Sequence, residues 1–359
     1  MTTAAQHLGY RAGYRILGVA LIAFIALTLT LSSCNGEEKT PDIDRVDEKP
    51  KEWTSLVDGS KVLDRIKRIC DLGPRQPGTK GAESARSEIE KQLREVGFTW
   101  AQLKRQTWTE KTPDPKQIPS DANKDPSAWP NETKFVNLIA VLPGKNKEGV
   151  ALAAHYDSKV FDFSFVGAND SASAVAGIIE LAAMLLKESK TKPRENSVYF
   201  IFFDGEEAIR NNWADPDNRY GSRHFVDQMI KQGDKFEFPL TGCILLDMIA
   251  AKKLRFAEEK NSDSHVIKLF KDEARKIFGY APFSVPRGGA IIDDHVSFKG
   301  TKVVVMDLID ANFDSRNHNE TIWWHTEEDT MEHLDKRSLE MALTLTLAVF
   351  PAVEEFCNR

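Results

Sequence analysis

Acidic side chains recur in this sequence at the borders of apolar segments. Glu206 and Glu207 follow the mostly apolar run 198–203 after Asp204 and Gly205, and Asp170 directly precedes an apolar segment with helical spacing. A pair of acids in such a position is costly to bury unless it is paired or bound to a metal ion. The chemistry that these carboxylates could perform is therefore metal binding or proton transfer.

Two of these acids and one distant histidine form a coherent donor set. Asp170, Glu207 and His325 supply two carboxylates and one imidazole without a thiol, which suits a catalytic zinc ion with one open position. Each donor also has a plainer interpretation. Asp170 could cap a helix, the acid pair could be solvated, and His325 lies in the aromatic segment 322–326, where it could simply pack. The donor types alone leave these alternatives open.

The elements that must position these residues follow from the apolar runs. Five mostly apolar runs, several rich in β-branched residues, predict strands. They are 135–142, 150–154, 198–203, 242–249 and 303–309. Near-continuous apolar strands separated by helical patterns suit a sheet that is covered by helices on both faces. We predict the α/β class, as a three-layer αβα sandwich with a mixed, mainly parallel central sheet.

Three helices are predicted from apolar residues at helical spacing. They are 79–96, which Thr79 caps and Gly97 ends, 171–186, and 336–355. In open α/β sheets, ligands bind outside the carboxyl ends of the strands. The acids near 157, 206 and 247 accumulate at that edge, so the predicted fold gathers them into one site.

The composition restricts the classes of partner. The chain has 359 residues and a formal net charge of −6, and it has no basic cluster interleaved with aromatic residues. We therefore expect no nucleic-acid partner. Cys70, Cys243 and Cys357 are odd in number and match no metal-binding spacing. We interpret them as core thiols, with one disulfide among them as the alternative.

The N-terminal segment has the features of an export signal. Residues 1–33 combine Arg11 and Arg15 with an apolar run, and they end in Leu31-Ser32-Ser33 directly before Cys34. This pattern fits a bacterial lipoprotein signal peptide that is cleaved before Cys34, whose thiol then carries a lipid anchor. An uncleaved membrane helix is the alternative. We expect an exported protein, held to the cell envelope only by this lipid.

The rest of the chain divides into a tether and one domain. Residues 34–52 are polar and charged with few large apolar groups, which predicts a disordered tether. Residues 53–359 form the predicted single catalytic domain, and the proline-rich segment 113–130 is an exposed excursion from it. Asn35, which follows the lipidated cysteine, favours the periplasmic face of the outer membrane.

Several motifs occur in the order found in a known family. The segments are HYDS at 155–158, VGANDSA at 166–172, FFDGEEA at 202–208, YGSRH at 220–224, LLDMI at 245–249, IDDHVSF at 292–298 and WHT at 324–326. They resemble the zinc aminopeptidase superfamily, and specifically its animal-type glutaminyl cyclase branch. The resemblance covers roughly residues 55–355 and is most specific in the middle of that range.

The resemblance implies a function and a role for each site residue. The implied activity is that of a single-zinc acyltransferase that cyclises N-terminal Gln of peptides, and more slowly Glu, to pyroglutamate. The implied roles are Asp170, Glu207 and His325 as zinc ligands, Glu206 as general acid/base, Asp247 and Asp293 as acids near the reacting groups, and Trp213 and Trp324 as aromatic pocket walls. We expect peptides with N-terminal Gln as partners and a monomeric chain.

The sequence departs from the animal pattern at two places. Ala154 replaces one cysteine of a pair near the site, and no partner thiol lies near Ala174, so that disulfide is absent. Asp307 replaces a histidine of the animal hydrogen-bond network, and its role is open. Neither departure changes an implied metal ligand.

Two other functions compete with cyclisation. In a two-metal aminopeptidase of the same superfamily, His155 and Asp247 would bind a second zinc that Asp170 bridges to the first. The continuation Ser171-Ala172 after Asp170 resembles cyclases rather than peptidases. A non-catalytic surface binding protein on this fold is the remaining alternative, and the retention of every ligand and base position disfavours it.

Overall fold

A computed structural model describes residues 49–111, 132–210, 213, 215–313 and 323–359. The helices are α1 (Gly59–Cys70), α2 (Lys80–Glu95), α3 (Ala174–Ser189), α4 (Tyr220–Gln232), α5 (Ser264–Phe278) and α6 (Lys336–Cys357). The strands are β1 (Leu103–Lys111), β2 (Glu132–Leu142), β3 (Asn146–His155), β4 (Asn196–Phe203), β5 (Leu240–Asp247), β6 (Phe256–Ala257), β7 (Phe283–Ser284) and β8 (Val304–Ile309). The described residues belong to one compact unit, Asp47–Arg359.

The central sheet has six strands in the order β1-β2-β4-β3-β5-β8. Strands β4, β3, β5 and β8 run parallel to one another, whereas β2 pairs antiparallel with both β1 and β4. His155 pairs with Phe203, and Asp247 pairs with Ile309. The carboxyl ends of the four parallel strands therefore meet at one edge, and the predicted mixed, mainly parallel sheet is confirmed.

Helices cover both faces of the sheet because successive strand residues point to opposite sides. Leu152 and Ile244 belong to a core cluster shared with α1, α2, α3, α5 and α6. Their chain neighbours Ala153 and Leu245 belong to a second cluster, which Phe225 of α4 covers. The arrangement is the predicted three-layer sandwich, with most helices on one face.

The five predicted strands correspond to β2, β3, β4, β5 and β8, and the three predicted helices to α2, α3 and α6. The Thr79 hydroxyl accepts a hydrogen bond from the Ala82 backbone N–H at 3.2 Å, as the capping prediction requires. Helix α3 begins at Ala174 rather than 171, because Asp170 and Ser171 have non-helical backbone angles. The N-cap residue of α3 is Ser173, so the alternative in which Asp170 caps this helix is wrong.

Other elements leave a weaker signal in the sequence. Strand β1 lies at the sheet edge and alternates between half-buried and exposed residues, so it contains no apolar run.

Cys70, Cys243 and Cys357 are free thiols, and the disulfide alternative is wrong for these three. The predicted excursion 113–130 lies within 112–131, outside the described residues.

One helical stretch of the described residues, Ala168–Ser189, is long and apolar enough to cross a membrane. Of its most apolar window, 83% is buried inside the fold. This stretch is therefore a core helix, and its apolar length reflects packing between the sheet and α6.

Candidate metal centre

Three loops at the carboxyl edge of the sheet bring Asp170, Glu207 and His325 together. Nε2 of His325 lies 2.8 Å from Oε1 of Glu207 and 3.4 Å from Oδ2 of Asp170. One ligand atom from each residue lies within 4.8 Å of the others. Two ligands on a tetrahedral zinc ion are roughly 3.4 Å apart, given bond lengths of about 2.1 Å. The three side chains therefore lie within reach of a single ion.

Backbone hydrogen bonds hold the turn that carries Asp170. The Asp329 carboxylate accepts from the backbone N–H of Asn169 at 2.7 Å and of Asp170 at 3.1 Å. The buried Arg75 guanidinium donates to the backbone carbonyls of Tyr156 and Gly167. Because these contacts come from distant parts of the chain, the position of the Asp170 carboxylate is fixed by tertiary structure.

Asp157 holds the two glutamates after β4. Its carboxylate accepts from the backbone N–H of Glu206 at 3.0 Å and of Glu207 at 3.2 Å. Gly205 precedes them with φ +70°, where a Cβ would lie 2.6 Å from the Phe135 ring. Sequence reasoning did not assign Asp157 a role, although its position two residues after β3 in the HYDS motif indicates one.

The His325 imidazole is held by aromatic rings on several sides. It stacks on Trp324 with a centroid distance of 4.0 Å, and it meets Phe161 and Phe165 in edge contacts at 5.4 and 6.0 Å. Its backbone is left-handed, with φ 57°, which is uncommon outside glycine. The aromatic packing that the sequence predicted is therefore present, and it directs Nε2 toward the two carboxylates.

The electrostatics of this group favour a cation among the three side chains. Burial alone would raise the pKa of Asp170, but hydrogen bonds from His155 and His325 hold that pKa well below its usual range. Burial alone would lower the pKa of His325, but Glu207 and Asp170 raise it to about 9. The site therefore attracts positive charge, which a proton or a metal ion can supply.

A second group of candidate ligands adjoins the first. Nε2 of His155 lies 3.2 Å from Oδ1 of Asp170 and 3.6 Å from Oδ1 of Asp247. These three residues also meet the distance criterion for a shared ion. Asp170 belongs to both groups, so it could bridge two ions.

The remaining predicted site residues line one pocket. Its cavity volume is about 370 Å³, and Glu206, Asp247, Asp293, Trp213 and Trp324 all border it together with the three candidate ligands. This volume suits a small side chain or the end of a peptide. The structure thus brings every predicted site residue to one place.

The acids in this pocket have raised pKa values. Burial and the neighbouring Asp293 charge raise the pKa of Glu206 well above its usual range. Burial also raises the pKa values of Asp247 and Asp293. A pocket with raised carboxyl pKa values is suited to proton transfer at neutral pH.

Comparison with known proteins places these observations in a family. Residues 137–350 match peptidase family M28. The chain is 30% identical over 305 residues to glutaminyl-peptide cyclotransferase from Bos taurus, covering 75% of this chain and 77% of the bovine one. It is 30% identical over 327 residues to glutaminyl-peptide cyclotransferase from Bothrops jararaca, covering 80% of each. The crystal structure of glutaminyl cyclase from an Acidobacteriales bacterium superposes with a TM-score of 0.68 at 26% identity, covering 86% of this chain and 97% of the other. The chain therefore belongs to peptidase family M28 and, within it, to the glutaminyl-peptide cyclotransferase branch.

Proposed function

We propose that this protein is a zinc-dependent glutaminyl-peptide cyclotransferase. It converts N-terminal Gln of peptides to pyroglutamate with release of ammonia, and N-terminal Glu more slowly with release of water. The observation that carries this proposal is the convergence of Asp170, Glu207 and His325 at one pocket. Glu206 lines the same pocket without belonging to that ligand group. The named activity of the bovine and snake relatives supports the substrate class.

The donor set fits one zinc ion. Asp170 and Glu207 are buried, and Oε2 of Glu207 accepts no hydrogen bond from the described residues, although the Lys159 ammonium lies 3.5 Å away. Two carboxylates and one imidazole leave a fourth position for substrate. When bound, zinc supplies a Lewis acid that polarises the γ-carbonyl of the substrate glutamine and balances the negative charge developing on its oxygen.

Glu206 is the group that we assign to proton transfer. The α-amine nitrogen of the substrate forms a bond with the carbonyl carbon of its own side-chain amide, and the bond from that carbon to the amide nitrogen then breaks. Glu206 takes a proton from the attacking amine and gives it to the leaving nitrogen, so ammonia departs and the carboxylate is restored. Its burial in the pocket supports this role.

The other pocket residues orient the substrate. Asp247 and Asp293 offer carboxyl groups that can hydrogen-bond the substrate amine and amide. Trp213 and Trp324 supply flat apolar walls against the aliphatic part of the side chain. Because the attack is intramolecular, the main task of these walls is to hold the side chain folded back onto its own amine.

An aminopeptidase with two zinc ions is the second candidate. The observation in its favour is the group formed by His155, Asp170 and Asp247 beside the first. The relatives named as cyclotransferases favour cyclisation.

Two assays run side by side separate these candidates. Ammonia release from a Gln-initiated peptide should be fast, while cleavage of a leucine anilide should be at background. The reverse result would reject the cyclase in favour of the peptidase. Inactivity toward both substrates by folded, zinc-loaded protein would favour a binding protein.

The localisation is proposed from the sequence alone, because residues 1–48 lie outside the described residues. We propose that residues 1–33 are removed on export, that Cys34 is lipidated and that residues 34–52 are a tether. The domain 53–359 would then act as a monomer on the periplasmic face of the outer membrane. Labelling with a radioactive fatty acid, lost in a Cys34→Ala variant, would support the anchor, and equal labelling of both proteins would reject it.

A further inference from the structure

A third group of potential metal ligands lies behind the pocket. Asp293 and His295 belong to the short segment 293–298, and Asp307 lies on β8. One ligand atom from each lies within 4.8 Å of the others. All three side chains are buried: His295 and Asp307 are 0% exposed and Asp293 is 3% exposed. Only Asp293 also borders the pocket.

Most polar atoms of this group lack hydrogen-bond partners among the described residues. Nδ1 of His295, both carboxylate oxygens of Asp307 and Oδ2 of Asp293 form no hydrogen bond there. A buried polar atom without a partner costs roughly 1–3 kcal/mol, and a charged one costs more. Four such atoms in one place indicate that a ligand satisfies them.

The charge balance points to a positive ligand. The buried carboxyl groups of Asp293, Asp294 and Glu259 lie near that of Asp307, and the His295 imidazole lies beside Glu259 and Asp307. Among the described ion pairs, none joins these four acids to lysine or arginine. Buried like charges must be neutralised by protons or by a cation.

The geometry around His295 resembles that of a metal-bound histidine. Its Nδ1 lies 3.6 Å from Oδ2 of Asp307, close to the spacing of roughly 3.4 Å between two ligands of one tetrahedral ion. Its Nε2 lies 3.4 Å from Oε1 of Glu259, on the other side of the ring. A carboxylate that accepts from the second nitrogen orients most metal-binding histidines. Glu259 is itself held by the backbone N–H groups of Asn261 and Ile291.

We propose that Asp293, Asp307 and Nδ1 of His295 bind a second, buried metal ion, with Glu259 orienting the imidazole. The mixed oxygen and nitrogen donors favour a divalent transition-metal cation such as Zn²⁺ or Mn²⁺ over Mg²⁺ or Ca²⁺. The ion would lie behind the pocket wall to which Asp293 belongs. Its role is structural: it joins β8 to the segment that carries Asp293 and fixes that pocket wall.

The test uses a variant in which Asp293, His295 and Asp307 are expected to retain metal while the other two candidate groups are weakened. Asp170 belongs to both other candidate groups, so Asp170→Asn in the full chain weakens both of them at once. After chelation, the variant is loaded with Mn²⁺ or Zn²⁺ alone and desalted, its fold is checked by circular dichroism, and bound metal is measured by elemental analysis. We expect about one equivalent in folded Asp170→Asn and none in Asp170→Asn/Asp307→Asn. Folded Asp170→Asn without metal, or equal metal in both proteins, overturns the proposal.

A milder variant covers the case in which the double variant does not fold. Glu259→Gln in the Asp170→Asn background leaves all three ligands intact. It should weaken metal binding at least roughly tenfold, because it removes the charged partner of the ligating imidazole. Unchanged affinity overturns the proposal. Since the readout is bound metal rather than turnover, the outcome is independent of the cyclase assignment.

Discussion

Two adjacent glutamates after β4 differ in what surrounds their carboxyl groups. The Glu207 carboxylate faces His325 at 2.8 Å and Lys159 at 3.5 Å, so it lies in the candidate zinc site. The Glu206 carboxylate borders the pocket, and its nearest described cationic partner is Nε2 of His155, 3.9 Å away. Neighbouring positions in the chain can therefore take separate tasks, one binding metal and the other moving protons.

This division predicts that replacement of each glutamate by glutamine has a different effect on zinc content. Glu206→Gln should retain zinc but lose at least roughly 10²-fold in kcat, because an amide cannot accept the proton of the attacking amine. Glu207→Gln is the matched control and should lose zinc as well as activity. Turnover numbers and zinc content of both variants decide the point. A fully active Glu206→Gln enzyme would remove that residue from its role.

The ends of the parallel strands must be held together for these residues to meet. Asp157, two residues after β3, accepts from two backbone N–H groups of the turn after β4. Asp329, which precedes α6, does the same for the turn that carries Asp170. These acids act through backbone contacts, so they place catalytic groups without contacting substrate.

Asp157→Asn tests this positioning role. The amide offers one acceptor oxygen for two buried N–H groups, so the free energy of unfolding should fall by about 1–3 kcal/mol. We expect kcat to fall as well, because Glu206 and Glu207 lose their fixed backbone. Urea unfolding and turnover are compared with Asp234→Asn, an exposed acid whose replacement should cost less than about 0.5 kcal/mol. Stability equal to that of the control would contradict the role.

Helix α2 offers a test of local stability away from the site. Thr79→Ala removes the oxygen that accepts from the Ala82 N–H, and it should lower the free energy of unfolding by about 1 kcal/mol. Ser87→Ala, on the exposed face of the same helix, should change it by less than about 0.5 kcal/mol. Urea unfolding measures both, and indistinguishable midpoints would argue against the cap.

At the scale of the whole molecule, the sequence predicts the interior better than the edges. The central strands are apolar because helices cover both their faces, so their runs are visible in the sequence. Strand β1 is not predicted from the sequence, because its outer face is exposed and it therefore lacks an apolar run. The zinc ligands could be named from donor types together with the family motifs. The supports Asp157, Asp329 and Arg75 could not, because contacts from a side chain to a distant backbone have no periodic pattern.

The third ligand group, Asp293, His295 and Asp307, is also not predictable from the sequence. Asp293 and His295 are close in sequence, but Asp307 reaches them only because β8 lies beside the segment that carries them. Their burial, and the lack of hydrogen-bond partners for most of their polar atoms among the described residues, are properties of the folded chain. The proximity of such groups can be inferred only when the order of strands in the sheet is known.

The central claim is that zinc held by Asp170, Glu207 and His325 supports cyclisation of N-terminal glutamine. Ammonia release from a Gln-initiated peptide, measured before chelation, after chelation and after addition of Zn²⁺, tests it most directly. We predict that activity disappears when elemental analysis shows the metal removed, and that it returns with zinc. Undiminished ammonia release by metal-free protein would contradict the account.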